Sequence, residues 1–119
     1  MKELSAESFD IKGDTYILTC KAAVDEGVVQ GIVSSKAGKE ISRIKYTVTE
    51  GLMKKWEISR DEAVRFILRF AKFHTQTRLA RCDLAKLDEY VFDVDFAATK
   101  PEAVAEKVES EWRALFNKA

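Results

Sequence analysis

Three groups of residues in this chain are of the kinds that do chemistry. His74, the one histidine, lies in RFILRFAKFHTQTR (65–78). Asp93 and Asp95 form a D-x-D pair in LDEYVFDVDFAA (87–98). Arg65, Arg69 and Lys72 fall at i, i+4 and i+7, so on a helix they make one basic stripe. An imidazole can move a proton or hold a metal, paired carboxylates can hold a hard cation or share proton work, and a basic stripe can face an anion.

The surroundings weaken the first two. His74 has Phe70 four residues before it and Thr77 three after, so it has no second metal ligand at helical spacing and no nucleophile beside it. A ring closing an apolar helix stretch is expected to be packed. Alternate residues on a strand share a face about 7 Å apart, but opposite an apolar face two acids also serve as plain solvated charges. Phosphate-cradling glycine motifs, Cys/His clusters and nucleophile elbows are missing from the sequence. No catalytic residue, metal site or cofactor is expected.

The cations are more informative. Net charge is zero over 119 residues, but it is unevenly spread. Residues 1–35 carry three basic and six acidic side chains, 36–86 thirteen and six, and 87–119 four and eight. The basic middle supplies the anion- or nucleic-acid-binding candidates Arg43, Lys45, Lys54, Lys55, Arg65, Arg69 and Lys72, with Trp56 as a ring on which a base can stack. The pI of 6.6 is low for a nucleic-acid-binding domain. The acidic flanks can answer the middle within one chain or between two.

Elements must place these groups. Phe9 and Ile11 alternate about Asp10, and Gly13-Asp14 suits a two-residue II′ turn. TYILTCKAAV (15–24) puts Tyr16, Leu18, Cys20, Ala22 and Val24 on one face. Asp25-Glu26-Gly27 reads as a turn, GVVQGIVSS (27–35) as a third strand, and Lys36 to Lys39 as another turn. EISRIKYTVT (40–49) is a fourth strand, with Ile44, Tyr46 and Val48 opposite Arg43, Lys45 and Thr47. Short loops make these an antiparallel meander.

Gly51 ends that run. Ser59 to Glu62 is a capping box, opening a helix from about Arg60 to at least Phe73, with Val64, Ile67, Leu68 and Ala71 inward and Phe66, Phe70 and Phe73 adjoining. Residues 76–87 suggest a second, shorter helix. Residues 87–98 return to period two, with Tyr90, Phe92, Val94 and Phe96 on one face. Thr99 to Glu102 is a second capping box, and Val104, Val108, Trp112, Leu115 and Phe116 form the stripe of a last helix.

The expected architecture is a single α+β domain over 1–119: a four-stranded antiparallel β-meander, a helix, a fifth strand and a C-terminal helix, with the helices on one face of the sheet. The two cysteines lack paired spacing and read as buried thiols. No apolar run is long enough to span a membrane. Acids stand where a secretory leader would be apolar, so the expected location is cytoplasmic.

The leading functional expectation is a non-catalytic binding module acting as a homo-oligomer, a homodimer, or on another protein. One alternative is a single-stranded nucleic-acid-binding domain using the basic middle. Another is a small enzyme using Asp93 or Asp95 with an arginine or His74.

Overall fold

The computed structural model describes residues 1–95 and 100–116. Its strands are β1 (Lys2–Ile11), β2 (Asp14–Ala23), β3 (Val28–Ser35), β4 (Glu40–Val48) and β5 (Leu87–Phe92). Its helices are α1 (Glu50–Trp56), α2 (Arg60–Ala80) and α3 (Pro101–Phe116), and a 3-10 turn at Val24–Glu26 joins β2 to β3. The strands form one sheet in the order β1-β2-β3-β4-β5. The first four are antiparallel neighbours, and β5 lies parallel to β4. The sheet of this α+β fold is therefore mixed rather than wholly antiparallel. The cause is the β4–β5 connection, which carries α1 and α2: a helical crossover returns the chain to the edge it left, running the same way.

One side of the sheet is apolar, as the alternation requires. Leu18, Cys20 and Ala22 of β2, Val29 and Val33 of β3, Ile44, Tyr46 and Val48 of β4 and Phe92 of β5 are all buried. Gly31 lies across from Ile44, and a Cβ there would stand 3.4 Å from the Tyr46 ring and 3.5 Å from Leu18. A side chain in the middle of β3 would thus crowd the tyrosine, which explains a glycine inside a strand.

Four boundaries differ from the sequence reading. The β1–β2 turn sits one residue earlier, on Lys12-Gly13, with Ile11 paired to Asp14. Both loop residues have positive φ, 52° and 86°, so the turn is the I′ type that matches strand twist. Residues 50–56 form α1, capped by Thr49, whose Oγ1 accepts from the Leu52 amide at 3.2 Å. Gly51 lies inside its first turn, so what reads as a terminator is part of a short helix.

The long helix α2 absorbs 76–80, and no separate helix forms across 76–87. Thr75, Gln76 and Thr77 are buried on it, and polar residues at inward positions hid the continuing period. The helix's own carbonyls accommodate two of them: Thr75 Oγ1 donates to the Ala71 carbonyl at 2.6 Å and Gln76 Nε2 to the Lys72 carbonyl at 3.1 Å. Finally, β5 ends at Phe92, and Val94 and Asp95 lie in a turn, so Val94 does not share a strand face with Tyr90. Phe96 and the capping residue Thr99 lie outside the described residues.

The capping box at α2 forms in full. Ser59 Oγ accepts from the Glu62 amide at 3.1 Å, and Glu62 accepts from the Ser59 amide at 3.2 Å. The helix then buries Ala63, Val64, Phe66, Ile67, Phe70 and Ala71. Its main partner besides the sheet is α3, which buries Val104, Ala105 and Val108. Phe70 is the meeting point, with ring centroids 5.1 Å from Phe92, 5.0 Å from His74 and 6.0 Å from Tyr46.

Phe70→Ala is expected to cost about 3–5 kcal/mol, the transfer loss plus an unfilled cavity. Urea unfolding of wild type and variant measures it.

Candidate functional site

His74 is 8% exposed and lies among rings. Its Nδ1 is 3.1 Å from the Tyr46 hydroxyl, and its ring centroid is 4.4 Å from that of Tyr90. In the Nε2–H tautomer the phenol donates to Nδ1. Burial, then Arg78, pushes the imidazole pKa down to about 4, and burial holds the Tyr46 phenol well above its ordinary value. The pair is neutral near pH 7 and satisfies two polar atoms inside the core. It has the geometry of a packed, hydrogen-bonded histidine. The carboxylates that bear on it are Asp88 and Asp83, not the D-x-D pair.

Asp93 is occupied elsewhere. Its Oδ1 accepts from Thr49 Oγ1 at 3.0 Å and from the Val94 amide at 2.7 Å, tying the end of β5 to the start of α1. Among the described residues no three His, Cys, Asp or Glu side chains group as metal ligands would. Both cysteines are free: Cys20 is buried, with its thiol pushed up by burial, whereas Cys82 is exposed at the end of α2.

The basic candidates are not brought together. Arg43 and Lys45 alternate with Ile44 and Tyr46, so they point away from the helices, on the open side of the sheet. Arg65, Arg69 and Lys72 ride on α2, on the opposite side. Arg69 Nη2 is 3.8 Å from Glu109 of α3, and Lys72 Nζ is 3.9 Å from Glu7 of β1. These acids belong to the two acidic flanks, so that part of the charge asymmetry is answered within the chain. Both cations border a groove of about 380 Å³ floored by Leu18, Cys20, Leu68 and Phe73. Lys54 is exposed on α1, and Lys55 donates to the Val94 carbonyl at 3.1 Å. Trp56 is buried, edge-on to Phe66 at 5.3 Å, the position of a core lid.

Helices cover one side of the sheet, and the other carries a surface assembled from every strand. Strand register sets Glu3, Lys21, Gln30, Lys45 and Glu89 in one row across β1 to β5. The next row runs Thr19, Ile32, Arg43, Leu87, and a third runs Ala23, Val28, Thr47, Val91. Leu87 and Val91 are 74% and 51% exposed. Arg43 donates to Glu40 at 2.6 Å and to Gln30 at 3.4 Å. No aromatic side chain stands in these rows, so they offer no stacking platform for bases. The sequence could not disclose the rows, because each takes single residues from four or five strands and depends on pairing register.

In comparison with known proteins, the chain matches no protein-family model, no curated protein and no solved structure. No described helix is long and apolar enough to cross a membrane.

The buried imidazole has a pH consequence. Its pKa is about 4 folded against an ordinary 6.5, so between these values the unfolded chain takes up a proton that the folded chain refuses. Stability should be fully present above pH 6.5, fall by about 3 kcal/mol towards pH 4, and lose nothing more from this group below that, at about 1.4 kcal/mol per pH unit. Denaturant unfolding across pH 4–7 tests this, with His74→Gln, which cannot titrate there, lacking that component.

Proposed function

We propose that this chain is a non-catalytic interaction module that works by self-association. The observation that carries the reading is a five-stranded sheet with its described helices on one side and, among the described residues, no helix on the other. An antiparallel sheet can carry a solvated face, but here Ile32, Leu87 and Val91 give that face an apolar strip that a second protein surface can cover.

The dimensions support it. The molecule is flat, 42 × 35 × 20 Å. Its accessible surface is 7082 Å² at 13.5 kDa, where a monomeric globular protein of that mass exposes about 6,500 Å². The open edge strand β1 is a poorer place for a partner. It is interrupted by a bulge between Glu3 and Ser5 and carries Glu3, Glu7 and Asp10, devices that discourage edge-to-edge pairing.

The nucleic-acid reading has less support, because its cations divide between opposite sides of the sheet and its tryptophan is buried. Fluorescence anisotropy with single-stranded DNA and RNA at ~50 mM salt is expected to show no binding; affinity that falls steeply with added salt would overturn this preference. Sedimentation velocity from ~1 to ~100 μM, a range that brackets affinities typical of modest interfaces, is expected to show a concentration-dependent dimer. A monomer throughout would sink the self-association reading.

A further inference from the structure

The uncovered face has a charge order that suits a second copy of itself. One row reads Glu3, Lys21, Gln30, Lys45, Glu89 from β1 to β5. Acids stand on the two edge strands, bases on the strands just inside, and a neutral amide on β3. The row is the same read from either end. Laid face to face with β3 on β3, it would set lysine against lysine. Moved half a strand, it becomes self-complementary.

We infer that two copies dock through this face about a two-fold axis that runs parallel to the strands, between β3 and β4. Then β2 faces the partner's β5, and β3 faces the partner's β4. Lys21 meets the partner's Glu89, and Glu89 meets the partner's Lys21. Both contacts lie one and a half strand spacings, about 7 Å, from the axis. The amide of Gln30 meets the partner's Lys45. In the next row Ile32 meets the stem of the partner's Arg43, and Leu87 meets the partner's Thr19. In the third, Val91 meets the partner's Ala23. Every charge in the four overlapping strands of the first row meets an opposite charge or an amide, and the two most exposed apolar side chains of β5 are covered. The arrangement is an isologous interface, as a two-fold dimer requires.

The area is that of a weak interface: four strands at 4.8 Å by three rows about 7 Å apart give roughly 400 Å² per copy, or about 800 Å² in total. Face-packed sheets cross at about −30° and stand about 10 Å apart, and lysine and glutamate side chains near the axis are long enough to bridge that offset. Two slabs 20 Å thick would stack into a more nearly isometric particle.

This docking rests on the self-association reading, and one experiment separates the two. Lys21→Glu, Glu89→Lys, the double variant Lys21→Glu/Glu89→Lys and Ile32→Asp are compared with wild type by sedimentation equilibrium, with circular dichroism to verify the fold. All three substituted residues lie on the solvated side of the sheet, away from the helix-side core. Each single reversal should raise the dimer dissociation constant about tenfold or more, and the double reversal should return it to within about threefold of wild type. Ile32→Asp should weaken the dimer without rescue, and Lys107→Glu on α3 should leave it unchanged. If wild type dimerises but the single reversals leave the constant unmoved, or the double reversal fails to restore it, the proposed docking is overturned and self-association stands through another surface. If wild type stays monomeric, both fall.

Discussion

The structure depends on one contact: the apolar side of α2 laid across a sheet whose inward face is mainly aliphatic on β2, β3 and β4 and carries the rings of Tyr46, Tyr90 and Phe92 on β4 and β5. Phe66 and Phe70 reach Phe92, Phe70 and His74 reach Tyr46, and His74 reaches Tyr90. A fully buried ring of this size contributes about 1.5–3 kcal/mol by transfer alone, so these few residues account for much of a small domain's stability. They also fix position. β5 has six residues and a neighbour on one side only, and its inward rings hold it under α2. Helix α3 is placed in turn by α2, through Phe73 against Trp112 and the Trp112 indole donating to Gln76 at 3.0 Å.

That contact also decides what the polar groups can do. A histidine under a helix, with a phenol on one nitrogen and rings on its faces, is held as a neutral core residue. The basic residues of α2 share a helix with the core phenylalanines, so they must emerge on the side away from Arg43 and Lys45. A single stretch of sequence with thirteen cations is thus divided by the sheet into two separate fields. Glu7 and Glu109, remote in sequence, then stand near the helix half. An exposed pair of this kind contributes little individually, but together they reduce the field that a polyanion would meet.

Much of the fold was legible, and where it was not, the causes are local. Ile44, Tyr46 and Val48 alternate cleanly with Arg43, Lys45 and Thr47, and the structure keeps that division. Ser59 and Glu62 announced the start of α2 because a cap is written in consecutive residues. The end of α2 was hidden because Thr75, Gln76 and Thr77 are buried polar residues; Thr75 and Gln76 bond to the helix itself or to α3, and a hydropathy pattern does not register such bonds. Helix α1 was hidden by Gly51. Asp93 and Asp95 continued the alternation of Tyr90 and Phe92 in type, but the chain turns as Asp93 takes hydrogen bonds from Thr49 and Val94. The direction of β5 is not carried by side-chain period, which is the same for parallel and antiparallel strands; it follows from the helical connection that precedes it. The open-face rows depend on register and stayed invisible.

The two free thiols give the molecule a built-in clock. Cys82 is open to solvent, and Cys20 is buried at the floor of the groove beside α2 with its thiol disfavoured from ionising. A soluble alkylating reagent would consume the first at a rate set by collision. It would reach the second only when the walls of that groove part. The ratio of the two rates, in one chain and one tube, would read the free energy of that opening directly, and it would do so without any engineered label.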